Sequence, residues 1–343
     1  MGDGTEQNPY THEDVLKLIE EHSGSEGLNL SGKVFEKGID LSGLKPPSLS
    51  LSGIILNDAL LLHANFDGSN LDDAVMQRAN LRCATFNPLN SETATLAKVD
   101  LRGAYLKNAE FREADLSGAQ FQEDPTESLR ANLEETDFRN ANLFGTNFKE
   151  CYFYRTKLEG ACIEGSNLEV ARLGDAVWGN YKIGEENKKK FDIAEHRYRH
   201  LKMWYTQSGY LDIAAKFYYR EREANRKSLK WYSRHRWTLE FLWALFGYGE
   251  GWKRILFWIA GFVLFFALIY LAIGTLFPNL GTLTPNTFLH SLYYSAVSFV
   301  ALGYGSWVKE ATGWVKGLGV FETFLGFFMM TLLLVTFVRK WTR

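Results

Sequence analysis

The sequence predicts a multidomain chain of three structural kinds: a stack of short repeats, an α-helical connecting segment and an α-helical membrane domain. Three observations carry this. From 131 to 175 the chain reads ANLEE TDFRN ANLFG TNFKE CYFYR TKLEG ACIEG SNLEV ARLGD, a run of five-residue units without a break. Two later stretches, Ile255 to Phe277 and Leu318 to Val338, are long and apolar enough to cross a bilayer, which takes ~20 residues. Between them lies a short aromatic run, 287–307, that carries Gly-Tyr-Gly near its end. With 343 residues and 23% of them charged, the chain is too polar for a pure membrane protein and long enough for several modules.

Each five-residue unit has Leu, Phe or Ile at its centre and Ala, Thr, Cys or Ser two places earlier, so a large and a small side chain always point the same way. A period of five fits neither a helix nor a flat strand. The pattern continues upstream through Phe111, Leu116 and Phe121, and through Phe66, Leu71, Met76, Leu81 and Phe86. It reaches back more loosely through Leu61, Leu56 and Leu51 toward Leu41. Its register slips between Phe121 and Leu133, where Asp124-Pro125 suggests an outward loop, and Asn87 to Thr93 keeps the spacing but loses the pattern.

These units carry the signature of the pentapeptide-repeat family. The resemblance implies a right-handed quadrilateral β-helix in which small residues let faces close while central Leu and Phe fill the interior, so that coils bury a core only by stacking. With four repeats per coil, 41–175 would make about seven coils and a rod of roughly 30 Å.

Asp14 to His22 reads as a short helix able to cap the first coil and prevent end-to-end stacking. After the repeats, Phe191, Ala194, Tyr198, Leu201 and Tyr205 recur at helical spacing within Glu185 to Tyr205, and Leu211 to Arg226 does likewise after Ser208-Gly209. A helical hairpin joining the repeats to the membrane domain is expected. Trp231 to Phe246 is basic and aromatic, as for a helix lying on the inner membrane surface. The expected boundaries are 1–30 for the N-terminal helix and cap, 31–178 for the β-helix, 179–250 for the helical linker and interfacial helix, and 251–343 for the membrane domain.

The order of helix, short aromatic helix, Gly-Tyr-Gly and helix is what an ion pore needs. An ion leaves water only where something replaces its hydration shell, and glycines let backbone carbonyls turn toward an axis. Thr284-Pro285 is a cap followed by proline, and the apolar run to Phe299 fits a re-entrant pore helix. Such backbone is tolerated at membrane depth only where it lines water or is buried in protein. Lys253 and Arg254 precede the first span, and Arg339, Lys340 and Arg343 follow the second, so both termini are expected in the cytoplasm.

Residues 250–343 resemble the pore module of two-transmembrane potassium channels, whose signature runs Thr-x-x-Thr-Val-Gly-Tyr-Gly-Asp. Ser298, Ala301, Leu302, Gly303, Tyr304, Gly305 and Ser306 occupy the matching positions. The resemblance implies a selectivity filter built from Ala301, Leu302, Gly303, Tyr304 and Gly305, with K+ at its backbone carbonyls as the permeant ion. Two departures matter. Ala301 keeps only the carbonyl of a threonine that supplies a hydroxyl to the innermost site, and Ser306 replaces an aspartate that braces the filter. The chain also holds a decoy, Gly247-Tyr248-Gly249, with no pore helix ahead of it.

Glu322 is a carboxylate within a span, and such groups face a partner or a cavity. It is expected to brace the pore helix through Ser298 or Tyr294. Gly326 either bends the last span, as in related inner helices, or lets a neighbour pack closely. His290 is expected near the outer mouth.

No enzymatic motif is present, and Cys83, Cys151 and Cys162 lack metal-ligand spacing and read as reduced structural thiols. The sequence therefore predicts a homotetrameric cation channel of the cell (plasma or inner) membrane, potassium-selective and without a cofactor. Its partners would be the lipid bilayer and an unknown cytoplasmic ligand or protein on the β-helix. Nucleic acid is not expected as a partner. The alternatives are a membrane-tethered repeat scaffold, such as the nucleic-acid mimics among relatives, and a weakly selective cation channel.

Overall fold

A five-residue repeat leaves only a couple of extended residues between turns. In the computed structural model, which describes residues 2–42, 50–89, 93–123, 130–276, 288–301 and 314–341, the repeats form isolated parallel bridges, with no continuous strand among the described residues. The bridges fall into columns such as Asn65, Thr85, Glu110, Asp137, Lys157 and Val177, and the commonest spacing between partners is 20 residues. Four repeats therefore make one coil of a β-helix.

Three coils depart from that length, and in the first of them Asp40 pairs with Asn65, 25 residues on. Asn70 pairs with Thr95, so the stretch beginning at Asn87 adds one whole repeat to its coil. That is why the spacing survives there while the pattern does not. Tyr105 pairs with Asn132, an excess of seven residues, which explains the slipped register. Asp124 and Pro125 lie outside the described residues.

Each corner needs a tight turn. The amide of Ala59 donates to the carbonyl of Leu56 at 3.2 Å, and Asp58 between them has φ of +58°. This left-handed residue recurs every five positions, at His63, Asp73, Arg78 and Cys83 among others. A left-handed residue with a Cβ costs roughly 1–2 kcal/mol, so stacking must outweigh that cost at each corner that lacks a glycine such as Gly53 or Gly68. Asn at the position before the centre helps, because Asn65 Oδ1 accepts from the Asp67 amide at 3.0 Å and Asn132 Oδ1 from the Glu134 amide at 3.0 Å.

The interior holds the predicted large residues. Phe66, Phe86, Phe111 and Phe138 are fully buried and stack in sequence, with centroids 5.0, 4.5 and 5.2 Å apart. The small positions do more than leave room. Thr136 and Thr146 donate to the carbonyls of Leu106 and Leu116 at 2.9 and 3.0 Å, and the Cys151 thiol reaches the Phe121 carbonyl at 3.2 Å. Burial pushes the Cys151 thiol up to about 12, so it stays protonated. Burial alone would raise Asp137, but hydrogen bonds from Arg139 and Arg112 outweigh it and hold the carboxyl at about 2.

Both ends of the stack are closed. Helix α1 (His12–Glu21) starts at a capping box between Thr11 and Asp14 and buries Val15 and Ile19 in the repeat core. Bridges Tyr10 to Phe35 and Asn29 to Ile55 carry the stack into the segment read as the cap. At the other end, a short turn of helix, α2 (Gly184–Asn187), leads into α3 (Phe191–Gln207) and α4 (Leu211–Ser228), which share the same core. Trp178 Nε1 donates to the Tyr205 hydroxyl at 2.7 Å, which donates to the Leu173 carbonyl at 2.7 Å. Phe217 of α4 packs against Trp178, Tyr181, Tyr198 and Tyr205.

The chain divides into two compact units, Met1–Ser228 and Leu229–Arg343. The division falls after Ser228, within the expected helical linker and interfacial helix, 179–250. Its hairpin is part of the repeat unit, because the tyrosines at helical spacing cover the last coil, and its remainder belongs to the second unit.

The second unit begins with α5 (Arg234–Phe246), which stops at Gly247 with φ of +57°, where the chain must turn left-handed. The decoy Gly-Tyr-Gly is this turn. Arg254 fastens it by donating to the Trp243 carbonyl at 2.7 Å. Helices α6 (Trp252–Leu276), α7 (Phe288–Val300) and α8 (Trp314–Trp341) follow. Stretches Trp252–Ile273 and Lys316–Val338 are long and apolar enough to cross a membrane.

Candidate functional site

A short helix between two apolar ones has a polar edge to satisfy, and α7 carries serines at 291, 295 and 298, three to four residues apart and so on one face. All three are buried. The partner of this face is a carboxylate. Glu322 on α8 has no exposed surface, and it accepts hydrogen bonds from the Tyr270 hydroxyl of α6 at 2.8 Å and from the Ser295 hydroxyl of α7. One side chain thus joins three helices. A buried carboxylate without such donors would be costly, so the two hydroxyls account for its presence.

The surrounding contacts hold the same arrangement. The Tyr270 and Tyr294 rings meet edge to face with centroids 4.8 Å apart. Phe266 and Ile273 complete the apolar cluster around them. Lower on α7, the Ser298 carbonyl accepts from the Thr323 hydroxyl at 2.8 Å and from the Ala301 amide at 3.2 Å. Gly326 lies against the backbone of Phe299, and a Cβ there would overlap the Phe299 carbonyl. Glycine at this position permits the close approach of α8 to the end of α7.

Sequence reasoning placed Glu322 against Ser298 or Tyr294, and the geometry corrects this to Ser295 and Tyr270. Tyr294 contributes a ring contact to Tyr270, and Ser298 contributes its carbonyl to Thr323. Tyr270, Ser295 and Thr323 are the residues that the sequence reading missed. The serine spacing on α7 signals Ser295, and a phenol within an otherwise apolar span signals Tyr270. His290 is exposed on the first turn of α7. Ala301 ends the described part of the site with φ of +59°. Leu302, Gly303, Tyr304, Gly305 and Ser306 lie outside the described residues, as do Thr284 and Pro285.

Residues 257–343 match the family model described as ion channel, and 50–87, 94–123 and 131–169 match pentapeptide repeats in 8 copies. Among solved structures, a trypsin-treated form of QnrB1, a plasmid-mediated fluoroquinolone resistance protein, is 20% identical, with 46% of this chain and 70% of that one covered at a TM-score of 0.26. HetL, a pentapeptide repeat protein involved in heterocyst differentiation regulation from Nostoc sp. strain PCC 7120, is 20% identical over 49% of this chain and 97% of that one, with a TM-score of 0.18. Rfr23, a pentapeptide repeat protein from Cyanothece 51142, is 18% identical over 48% and 97%, with a TM-score of 0.22. No curated protein matches. Pentapeptide repeats and a potassium-channel-like ion-channel domain are thus both found in this one chain, alongside its two apolar helices.

Proposed function

We propose that the chain is a homotetrameric cation channel that conducts potassium through the backbone carbonyls of Ala301, Leu302, Gly303, Tyr304 and Gly305. The observation that carries this reading is the clamp of Glu322 on Ser295 and Tyr270, which fixes a short helix between two apolar ones. A filter needs such support, because its carbonyls replace hydration only while their positions are held. Four copies are required, since one loop supplies a quarter of a ring. In this reading α7 is the re-entrant pore helix, both termini are cytoplasmic, and the chain lies in the plasma or inner membrane.

The repeats form a right-handed, four-sided coil on the cytoplasmic side, a reading that the 20-residue bridge spacing supports. That surface binds a cytoplasmic ligand or protein. A weakly selective channel is the second reading. It is favoured by Ala301 and Ser306, which lack the hydroxyl and the carboxylate of the potassium-channel signature.

Reversal potentials of the purified full-length protein in liposomes, under opposed potassium and sodium gradients, separate these readings. Potassium preference supports the first and equal permeability the second. A stable monomer or dimer by native mass, with no flux, sinks both and leaves a membrane-tethered scaffold.

A further inference from the structure

At the end of the β-helix, α3 does not seal the last repeats completely. A cavity of about 160 Å³ remains, walled by Ile163, Leu168, Leu173, Leu201 and Trp204, with Ser166, Arg197 and His200 as its polar members. We infer that this cavity is a binding site for a small single-ring carboxylate, whose acid group pairs with Arg197 while its ring lies against Leu168, Leu201 and Trp204.

Three observations support this. The volume suits one ring, since a dry apolar cavity of roughly 150 Å³ takes benzene in another protein. Arg197 Nε is shielded from solvent and meets no hydrogen-bond acceptor among the described residues, although a buried donor ordinarily has one. The hydroxyl of Ser166 is spent on the Ile163 carbonyl at 2.8 Å, so no lining hydroxyl competes as a donor for the acid group.

The charges nearby favour an anion. No carboxylate lines the cavity. Glu185, whose charge acts on Arg197, is turned to the Ile163 amide at 2.6 Å, and burial raises its carboxyl above the usual range. His200 is lowered by burial and by Arg197, His196 and Arg199, so it is neutral at pH 7 and offers a hydrogen bond at the exposed rim. A guanidinium donates two parallel hydrogen bonds to a carboxylate, a geometry that the ammonium of a lysine lacks.

The test is calorimetric titration of the full-length protein in detergent with benzoate, benzylamine and acetate. Benzoate should bind saturably, whereas benzylamine has the ring with the opposite charge and acetate has the charge without the ring, and neither should saturate over the same range. Arg197→Gln should weaken benzoate at least about tenfold, the loss expected for one charged hydrogen bond. Leu168→Trp fills the cavity from its half-buried wall and should abolish binding. Melting of each variant by circular dichroism identifies any that fails to fold, and the folded one decides. No saturable benzoate binding by the parent protein, equal binding of benzylamine, or unchanged affinity in a folded variant overturns the site.

Discussion

The two units of this chain bury opposite things. In the repeat unit, Phe66, Leu71, Met76, Leu81 and Phe86 have no exposed surface, and the coil interior is apolar. In the second unit, Phe257, Phe324 and Phe327 are 75%, 72% and 73% exposed, while Ser291, Ser295, Ser298 and Glu322 are buried. Both partitions follow one rule, that each surface matches its solvent. Water covers the repeats, and apolar neighbours, lipid or other helices, must cover α6 and α8. An exposed phenylalanine is thus an exception in one unit and the rule on the outer faces of α6 and α8 in the other.

Breaking the repeat core should give the largest effect. Leu143→Asp places a charge where stacking leaves no partner, and a loss of about 5 kcal/mol or more should unfold the repeat unit. Limited proteolysis of the variant reads this, and unchanged resistance would contradict the stacked core. In the second unit, the corresponding break is Gly303→Ala. If its carbonyl lines the ion path, potassium preference should vanish with the tetramer intact. Gly247→Ala should leave ion preference alone and cost only about 1 kcal/mol of helix-stop stability.

Three intermediate changes sharpen the contrast between the buried polar groups of the two units. Ser295→Ala removes one of two donors to Glu322 and should cost about 1–3 kcal/mol, read as reduced thermal stability and altered selectivity in the same variant. Glu322→Gln should change open-filter stability more than expression, and parental currents and selectivity from both variants would remove the clamp from the mechanism. For the repeat unit, Asp137→Asn should cost about 2 kcal/mol at neutral pH. Because Asp137 is held below its unfolded value, its contribution is complete above about pH 4 and is lost as pH falls toward 2. Chemical denaturation at pH 7 and pH 3 checks this, and an equal loss at both would rule out the ionised network.

The smallest change concerns Ala301. Threonine would restore the hydroxyl ring of the potassium-channel signature and should strengthen the innermost ion site. A β-branched residue opposes the left-handed backbone at φ of +59°, so the gain should be offset by about 1 kcal/mol of strain. Ion titration of Ala301→Ser beside Ala301→Thr separates the two contributions. Equal affinity in both shows that strain plays no part.

The repeat core was readable because each coil poses the same packing problem, so Leu143 and Phe148 announce themselves by spacing alone. The size of the oversized coil at Asn87 was not readable, since an added repeat there leaves the count in fives intact. Tyr198 and Tyr205 displayed a buried helical face without naming what it covers. In the site, Glu322 stood out as a carboxylate in a span, but its partners depend on how three helices are rotated and staggered. Ser298 lies only one turn from Ser295, and Tyr270 comes from a helix 52 residues away. No local pattern encodes that distance. The Ser298 carbonyl that the Ala301 amide reaches is also held by Thr323 of α8, a contact that local spacing does not specify.

Closure of the β-helix at both ends, by α1 and by the α3–α4 hairpin, makes the distance between these helices a quantised variable. Each coil adds about 4.8 Å, and removing one set of four repeats brings identical columns back into register. Deleting 56–75, for example, joins Ile55 to Met76 with the bridge phase unchanged. Recombination can therefore shorten or lengthen this spacer in fixed steps while leaving both end pieces untouched.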